Sequence, residues 1–386
     1  MPLGAAIQPS PPATVSWLVG DQTHTLPWRS ENGWAPPKRC VTADDTMTAD
    51  IAYRLASEGV GLIWTGDFQN ARQLLQAMAR RVAKRRTKFA EMPYPDRFHQ
   101  VRVARAQRAR TLGMLCLPFG AHHTLTHRRA PVVQDVCAQA HGDSDTGYVM
   151  PMTELLGLVS AYEWRKSGIT INGLKTPIHA HYGVFAPTRH EYLELVRRTP
   201  LPAPVIASAF DIGTGTGVLA ALLVQKGAHH VIATDTSSRA LACAKQNIDT
   251  LGLNEKITLA QADLFPAGHA DLIVCNPPWL PGKPTSALEH AIYDQDQKML
   301  TGFLNGLAAH LHPNGQGWLI LSDLAEHLHL WSREQLLEQI ESAGLVVIDK
   351  HDIRPTHPKS KDDEDPLADA RQAETTSLWC LGVAPT

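Results

Sequence analysis

The chain of 386 residues has the composition of an ordinary globular protein, with 44% hydrophobic residues, 19% charged residues and a formal net charge of −2. No run approaches the roughly 18 apolar residues that a membrane-spanning helix needs, and the N-terminus lacks the basic and apolar regions of a signal peptide. The six cysteines are scattered without a CxxC pair, which predicts neither a disulfide framework nor a zinc site. We therefore expect a cytoplasmic protein without a membrane partner and without a bound metal.

The first predicted elements are mainly helical and become strongly basic. Apolar spacing predicts helices over 44–58, 68–86 and 96–115, with a strand or buried connector at 59–64. Residues 72–110 contain twelve Lys and Arg against two acids, and this excess favours an anionic partner such as RNA over a merely solvated helix face. The candidates for contact with such a substrate are Arg80, Arg81, Lys84, Arg85, Arg102, Arg105 and Arg108.

A connecting region follows the basic helices. A helix is predicted over 152–168, and β-rich runs on both sides of Asn172-Gly173 predict a hairpin. Apolar residues between 192 and 196 mark a further short helix. The domain prediction is a basic substrate-recognition domain at 1–150, a helix and hairpin linker that covers a ligand site at 151–200, and a third domain at 201–386.

From Val205 onward, apolar strands alternate with helices. The predicted strands are 205–213, 230–235, 257–263, 270–276, 317–323, 345–352 and 376–384. Continuous apolar strands separated by helices predict a parallel sheet covered on both faces. The last two strands are joined by a charged loop without a helix, so we expect them to pair antiparallel. The predicted fold class is α/β, a Rossmann-like sheet of seven strands with the last pair antiparallel, preceded by a mainly helical basic domain.

A glycine loop joins the first of these strands to its helix. Gly213, Gly215 and Gly217 let the backbone turn tightly and approach a ligand closely. The GxGxG spacing differs from the GxGxxG of dinucleotide-binding enzymes, so an NAD-dependent dehydrogenase is the weaker alternative. The acidic residues at the ends of the first three strands are Asp211, Asp235 and Asp263.

This ordered series, which ends in Asn276-Pro277-Pro278-Trp279 after the fourth strand, resembles the class I S-adenosylmethionine-dependent methyltransferases of the methyltransferase small-domain type over about residues 183–384. The resemblance implies S-adenosyl-L-methionine as the cofactor, with Asp211 at its methionine part, Asp235 at its ribose and Asp263 at its adenine. The full set of cofactor contacts that it implies is Phe185, Pro187, Thr188, Asp211, Gly213, Thr214, Gly215, Gly217, Asp235, Thr236, Asp263, Leu264 and Asn276.

The four residues of the NPPW motif are the catalytic candidates, because each supplies something that a planar NH₂ group needs. Such a nitrogen is a poor nucleophile, since its lone pair is delocalised, and acceptors on its two N–H groups favour the shift toward sp³ geometry. The Asn276 side-chain oxygen and the Pro277 carbonyl are suitable acceptors, and Pro277 and Pro278 stiffen the turn. Trp279 offers a face for stacking. The motif resembles the (N/D/S)PP(Y/F/W) signature of amino N-methyltransferases.

Two substrate classes stay open. The segments "GVFAPTRHEYLELV" and "NPPWLPGKP" resemble release-factor glutamine N5-methyltransferases and the ribosomal RNA guanine-N2 and adenine-N6 methyltransferases. The basic helices favour a base in rRNA or tRNA, and a ribosome-associated protein glutamine is the alternative. A non-catalytic RNA-binding protein that retains the methyltransferase fold is a third hypothesis. The charged loop 354–374 is interpreted either as a substrate lid beside the site or as a solvated insertion.

Overall fold

The computed structural model describes residues 13–84, 89–284, 286, 288–355 and 365–385. The chain forms two compact units: Met1–Thr87 with Val103–Ser160, and Lys88–Arg102 with Ala161–Thr386. Among the described residues, no helix is both long and apolar enough to cross a membrane. The helices are α1 (Ala49–Ser57), α2 (Phe68–Lys84), α3 (Tyr94–Leu112), α4 (Gln134–His141), α5 (Met152–Ser167), α6 (Glu191–Arg198), α7 (Val218–Lys226), α8 (Ser238–Leu251), α9 (Lys298–His310), α10 (Leu324–His327), α11 (Arg333–Ser342) and α12 (Ala368–Ala373).

The first unit contains more strand than the sequence pattern predicts. Its strands are β1 (Thr14–Val19), β2 (Gln22–Pro27), β3 (Arg39–Ala43), β4 (Val60–Trp64), β5 (Leu115–Phe119) and β6 (Tyr148–Pro151). β1 and β2 form an antiparallel pair, and the other four form a sheet in the order β3-β4-β5-β6, in which only β6 is antiparallel to its neighbour. The predicted strand at 59–64 is confirmed as β4. The other three strands of this sheet are five residues or fewer, too short for alternation to identify them.

The second unit is built on a seven-stranded sheet in the order β14-β15-β13-β10-β7-β8-β9. These strands are β7 (Ile206–Ile212), β8 (Ala228–Asp235), β9 (Ile257–Gln261), β10 (Ala270–Cys275), β13 (Leu311–Ser322), β14 (Leu345–Ile353) and β15 (Thr376–Val383), and two short strands, β11 (Leu280–Pro281) and β12 (Tyr293–Asp294), lie outside the sheet. The five strands from β13 to β9 are parallel, whereas β15 pairs antiparallel with both β13 and β14. The predicted fold class, including the antiparallel last pair, is confirmed.

The sheet is buried on both faces, which explains its continuous apolar runs. In β10, Leu272 and Val274 pack with α6, α7 and α8, while the intervening Ile273 and Cys275 pack with α9 and α11. All four side chains are 0% exposed. Alternate residues of a strand point to opposite faces, so a strand between two helical layers must be apolar at every position.

The predicted hairpin at Asn172-Gly173 is only partly right. The two residues form a tight turn, in which the Leu174 N–H donates to the Ile171 carbonyl (3.1 Å) and Gly173 has φ +94°. Within residues 168–190, all of them described, the turn is not flanked by strands, and pairing is limited to one antiparallel bridge between Ile169 and Ile178. Pro177 lacks the N–H that a longer ladder needs.

Candidate functional site

The ends of four neighbouring parallel strands bring the predicted site residues to one edge of the sheet. In the pairing of β10 with β7, Val274 lies opposite Asp211 and Cys275 opposite Ile212. The NPPW motif and the glycine loop therefore leave adjacent strands side by side. β8 is the next strand, and it ends at Asp235. The carboxyl edge of a parallel sheet is where α/β proteins bind ligands.

The glycine loop has the conformation and the space that a ligand cradle needs. Gly213, Gly215 and Gly217 all have positive φ, at +73°, +55° and +80°, which side chains other than glycine rarely adopt. A Cβ on Gly213 would lie 2.6 Å from the Met299 side chain, whereas a Cβ on Gly215 would meet no atom within 4 Å. The loop thus packs tightly at its first glycine and is open at its second.

Asp211 is hydrogen-bonded to the glycine loop and to the helix that follows it. Its Oδ2 accepts hydrogen bonds from the Thr214 hydroxyl (2.6 Å) and from the Ala220 N–H (3.0 Å) in the first turn of α7. Its Oδ1 is buried and has no partner among the described residues. Burial raises the pKa of Asp211 to about 6, against the lowering effect of these two hydrogen bonds. A half-satisfied buried carboxylate is costly, and it leaves negative charge beside the loop.

Asp235 is partly exposed and ties the loop to the next helix. One carboxylate oxygen accepts from the Gly215 N–H (3.0 Å) and the other from the Ser237 N–H (2.9 Å). Each oxygen has a further lone pair, so both can still accept from a ligand hydroxyl. The following residue, Thr236, is exposed, and its carbonyl accepts from Gln261 at the end of β9 (3.0 Å).

The third strand end carries an exposed carboxylate and an unusual backbone. Asp263 is exposed, and the next residue, Leu264, has φ +72°, a conformation that is rare for a branched side chain. The Leu264 carbonyl accepts from the Thr234 hydroxyl (2.6 Å) in β8. This hydrogen bond fixes Leu264 to β8, the strand that ends at Asp235. It therefore links the neighbourhoods of Asp235 and Asp263, the residues predicted to contact the ribose and the adenine.

In the NPPW motif the predicted acceptor already makes one internal hydrogen bond. The Trp279 indole N–H donates to the Asn276 Oδ1 at 2.8 Å, and Pro277 is buried between them. An amide oxygen has two lone pairs, so Oδ1 can accept a second hydrogen bond. The internal bond fixes the orientation of the Asn276 amide before any substrate arrives.

Trp279 is less available for stacking than the sequence suggests. Its ring packs against the hydrophobic clusters on both sides of the sheet, and the guanidinium carbon of Arg189 lies 5.0 Å from the ring centre. Arg189 is held there by Glu191 (2.7 Å) and Glu374 (2.9 Å). Trp279 is thus packed into the fold, with Arg189 over its ring. The sequence pattern predicts no role for Arg189. In the sequence, only the nearby opposite charges in "TRHEYLE" suggest that this arginine is paired.

The predicted covering segment is irregular and lies beside the helix that follows Asp235. Within it, Phe185 is partly buried, Pro187 is buried and Thr188 is exposed. The neighbouring Val184 packs against Ala240 and Cys243 of α8. The role of these three residues over a cofactor stays a prediction.

Several arginines predicted to contact RNA are engaged within the protein. Arg81 pairs with Asp50 (2.6 Å) and Arg108 donates to the Ala79 carbonyl (2.9 Å), while Arg80 and Arg105 are exposed. Arg102 belongs to the second unit. Arg85, and residues 356–364 of the loop predicted as a lid, lie outside the described residues, and only the backbone of Lys84 is described. In the described ranges, no group of three or more His, Cys, Asp or Glu side chains could hold a metal ion.

Part of the second unit is similar in sequence to known methyltransferases. Residues 175–342 match the family model of the methyltransferase small domain. The release factor glutamine methyltransferase of Cereibacter sphaeroides is 35% identical over 128 residues, which is 30% of this chain and 46% of that protein. The corresponding protein of Geobacter sulfurreducens is 32% identical over 146 residues, 34% of this chain and 51% of that protein.

Another similar protein is named for a different protein substrate. The ribosomal protein uL3 glutamine methyltransferase of Bordetella pertussis is 36% identical over 106 residues, 26% of this chain and 36% of that protein. The chain thus spans about half the length, or less, of the curated relatives it matches. Among solved structures, a methyltransferase from Pyrococcus furiosus is 19% identical with a TM-score of 0.38, covering 58% of this chain and 96% of that chain.

The family match falls on the sheet described above. Residues 175–342 match a methyltransferase small domain and contain five of the seven strands of the sheet, β7, β8, β9, β10 and β13. The predicted resemblance to the methyltransferase small-domain type is confirmed for these residues.

Proposed function

We propose that the chain transfers a methyl group from S-adenosyl-L-methionine to the side-chain amide nitrogen of a glutamine in a protein of the translation machinery. The observation that carries the proposal is the naming of its relatives as glutamine methyltransferases. An RNA base, which the basic helices favoured, has less support, because Arg81 and Arg108 are engaged within the protein. Protein glutamine, the alternative considered from the sequence, takes its place.

The cofactor is supported by features of the glycine loop and its neighbours. The open space at Gly215 admits a ligand against the backbone, and the unsatisfied carboxylate of Asp211 favours a positively charged one. Asp235 retains acceptor capacity for ribose hydroxyls. When bound there, S-adenosyl-L-methionine supplies a methyl group on a positively charged sulfur. The residues of this chain bind it, orient it and exclude water.

Asn276 and Pro277 supply what an amide nitrogen lacks as a nucleophile. A glutamine NH₂ is planar because its lone pair is shared with the carbonyl. Two acceptors, the second lone pair of the Asn276 Oδ1 and the Pro277 carbonyl, would hold its two N–H groups and favour a pyramidal nitrogen. As this nitrogen bonds to the methyl group, the methyl–sulfur bond would break, the sulfur would become a neutral thioether and one N–H proton would be released to solvent. The bond from Trp279 keeps the Asn276 amide in place, and preorganised dipoles of this kind lower the barrier most effectively. The remaining acceleration comes from alignment of the two reactants.

The test is transfer of tritium from labelled S-adenosyl-L-methionine into a lysate of a strain that lacks this protein, fractionated into RNA and protein. We expect label in protein, recovered as N5-methylglutamine after mild proteolysis. Asn276→Ala should reduce the rate by about 100-fold or more and leave cofactor affinity within about twofold.

The matched control is Asn305→Ala, the same substitution at an exposed position of α9, which should leave the rate unchanged. Label in the RNA fraction would restore the RNA hypothesis. Undiminished transfer by Asn276→Ala would remove the NPPW motif from the reaction.

A further inference from the structure

Arg102 is the last residue of the N-terminal stretch that belongs to the second unit, and its side chain is only 18% exposed. Its guanidinium donates to the Lys283 carbonyl and lies 4.0 Å from a carboxylate oxygen of Glu289. Its central carbon lies 4.0 Å from the centre of the Tyr293 ring. All three partners lie between residues 280 and 294, so this cation is committed to the segment that directly follows the NPPW motif.

The two ends of that segment lie together, as its described residues 280–284 and 288–294 show. The Leu280 N–H donates to the Ile292 carbonyl (3.1 Å), and the Gly282 N–H donates to the Asp294 carbonyl (3.3 Å). Arg102 contacts both ends at once, because Lys283 follows Gly282 at one end and Tyr293 lies between Ile292 and Asp294 at the other. A planar guanidinium suits this position, since it donates in its plane and stacks with its face.

Gly282 provides the room for the guanidinium. A Cβ at this position would lie 2.3 Å from the Arg102 Nη1 and 3.1 Å from its Cζ. No side chain is accommodated there unless Arg102 moves away. The glycine and the arginine are therefore one fitted pair, although 180 positions separate them in the sequence.

The loop transmits this contact to the motif and to α9. Leu280, the residue after Trp279, is buried in one cluster with Phe98 and Tyr293. At the other end, the Asp294 carboxylate accepts from the N–H groups of Met299 (3.0 Å) and Leu300 (3.1 Å) at the start of α9. Leu280 directly follows Trp279 in the chain, so displacement of the loop would also displace Trp279. The indole N–H of Trp279 donates to the Asn276 amide oxygen and orients it.

We propose that Arg102 is a positioning residue that fixes the loop of residues 280–294 and, through Leu280 and Trp279, the Asn276 acceptor. The proposal rests on the proposed function, since it assigns Arg102 to that same site. It also replaces the predicted role of Arg102 as a phosphate contact. A phosphate contact requires donors directed toward solvent, whereas this guanidinium is mostly buried against the loop.

The test compares Arg102→Ala, Arg102→Lys, Gly282→Ala and the double variant in the full chain. Hydrogen exchange at the Leu280 and Gly282 amides reports on the loop without any substrate. Arg102→Ala and Gly282→Ala should each speed this exchange about tenfold, as expected for losing a cation–π contact and a charged hydrogen bond. The effects in the double variant should be less than additive, because both substitutions remove the same contact, while Gly282→Ala also strains a backbone with φ +158°. Arg102→Lys should recover part of the protection, since an ammonium still stacks on Tyr293.

The kinetic arm measures methyl transfer from labelled S-adenosyl-L-methionine to the protein fraction. Arg102→Ala should lower kcat about tenfold while KM and cofactor affinity stay within about twofold. Arg110→Ala, which removes an exposed arginine of the same helix, is the matched control and should change neither kcat nor exchange.

Unchanged exchange in both Arg102→Ala and Gly282→Ala would overturn the proposal, as would additive effects in the double variant. Faster exchange with an unchanged kcat would also overturn it, because the loop would then be irrelevant to the site. If the protein fraction receives no label at all, the proposed function fails, and the exchange arm still decides whether Arg102 holds the loop. Global unfolding of Arg102→Ala would leave Arg102→Lys and Gly282→Ala to decide.

Discussion

Two aspartates, one in each unit, are shielded from solvent near the carboxyl end of a parallel strand, yet they are satisfied to different degrees. Asp67 follows β4 and is 1% exposed, and Asp211 is the second-last residue of β7 and is 0% exposed. Asp67 lies near the carboxyl end of a strand in the four-stranded sheet, and Asp211 near the carboxyl end of a strand in the seven-stranded sheet. The side chains and N–H groups that bond to the two carboxylates differ. The comparison sets a carboxylate whose two oxygens are both hydrogen-bonded against one with an oxygen that has no partner among the described residues.

Both oxygens of the Asp67 carboxylate have hydrogen-bond partners within the protein. One oxygen accepts from the Nε groups of Arg128 (2.8 Å) and Arg129 (2.7 Å), and the other accepts from the Gln69 N–H (2.8 Å). The hydrogen bond from Arg129 is the largest cause that lowers the pKa of Asp67 to about 2. The carboxylate therefore fixes the segment around residue 128 to the end of β4.

The carboxylate of Asp211 is only half used, since one oxygen has no partner among the described residues. Burial without full compensation raises its pKa to about 6. Perturbed groups of this kind concentrate at functional sites because a structure rarely keeps them otherwise. Burial alone therefore does not mark Asp211 as a candidate site residue; its unpaired oxygen, its raised pKa and its position beside the glycine loop together do.

The sharpest test of this comparison is the affinity for S-adenosyl-L-methionine of Asp211→Asn. The substitution removes a negative charge from a region of low dielectric beside the glycine loop, so a cofactor with a positively charged sulfur should bind about 10- to 100-fold more weakly. Isothermal titration calorimetry measures this directly. Asp67→Asn serves as the control in the same titration and should not change the affinity. Equal losses in the two variants would end the distinction between them.

A second test uses pH, where the raised pKa of Asp211 has a definite sign. The folded-state value of about 6 lies above the reference value of 3.8, so the folded protein binds this proton more tightly than the unfolded chain. The group therefore costs stability as pH rises from about 4 to 6. Between about pH 4.5 and 7.5, we expect the wild type to lose about 2 kcal/mol of unfolding free energy relative to Asp211→Asn. Denaturant titrations at both values check it, and a difference that does not change with pH would contradict it.

Much of the second unit could be predicted because its signals are local. The apolar run at residues 271–275 and the glycine loop after residue 211 follow from periodicity and backbone conformation, which neighbouring residues determine. The order of the strand ends then places Asp211, Asp235 and Asn276 at one edge. This part of the site needs only the rule that parallel strands align their carboxyl ends.

The rest could not be predicted because it depends on distant pairs. The three-residue spacing of Arg102, Arg105 and Arg108 shows that they share a helix face, but nothing local shows that Arg102 meets the carbonyl of Lys283. In the same way, a tryptophan in the motif suggests a stacking surface. Only the fold reveals that Arg189 lies over the Trp279 ring and that the Trp279 indole N–H donates to the Asn276 side-chain oxygen.

The smallest expected effect comes from Asp67→Asn, and it has the opposite dependence on pH. The pKa of Asp67 is lowered from 3.8 to about 2, so its ionised form stabilises the fold above about pH 4, and this contribution is lost as pH falls toward 2. We expect Asp67→Asn to lower the denaturant midpoint at pH 7, and the deficit to shrink both in acid and at high salt. Salt acts because the partner guanidinium side chains are 74% and 56% exposed.

Asp21→Asn, at an exposed turn of the same unit, is the control. If the deficit of Asp67→Asn instead grew in acid, as the deficit of Asp211→Asn should, the two aspartates would be equivalent, and the unpaired oxygen of Asp211 would carry no functional meaning.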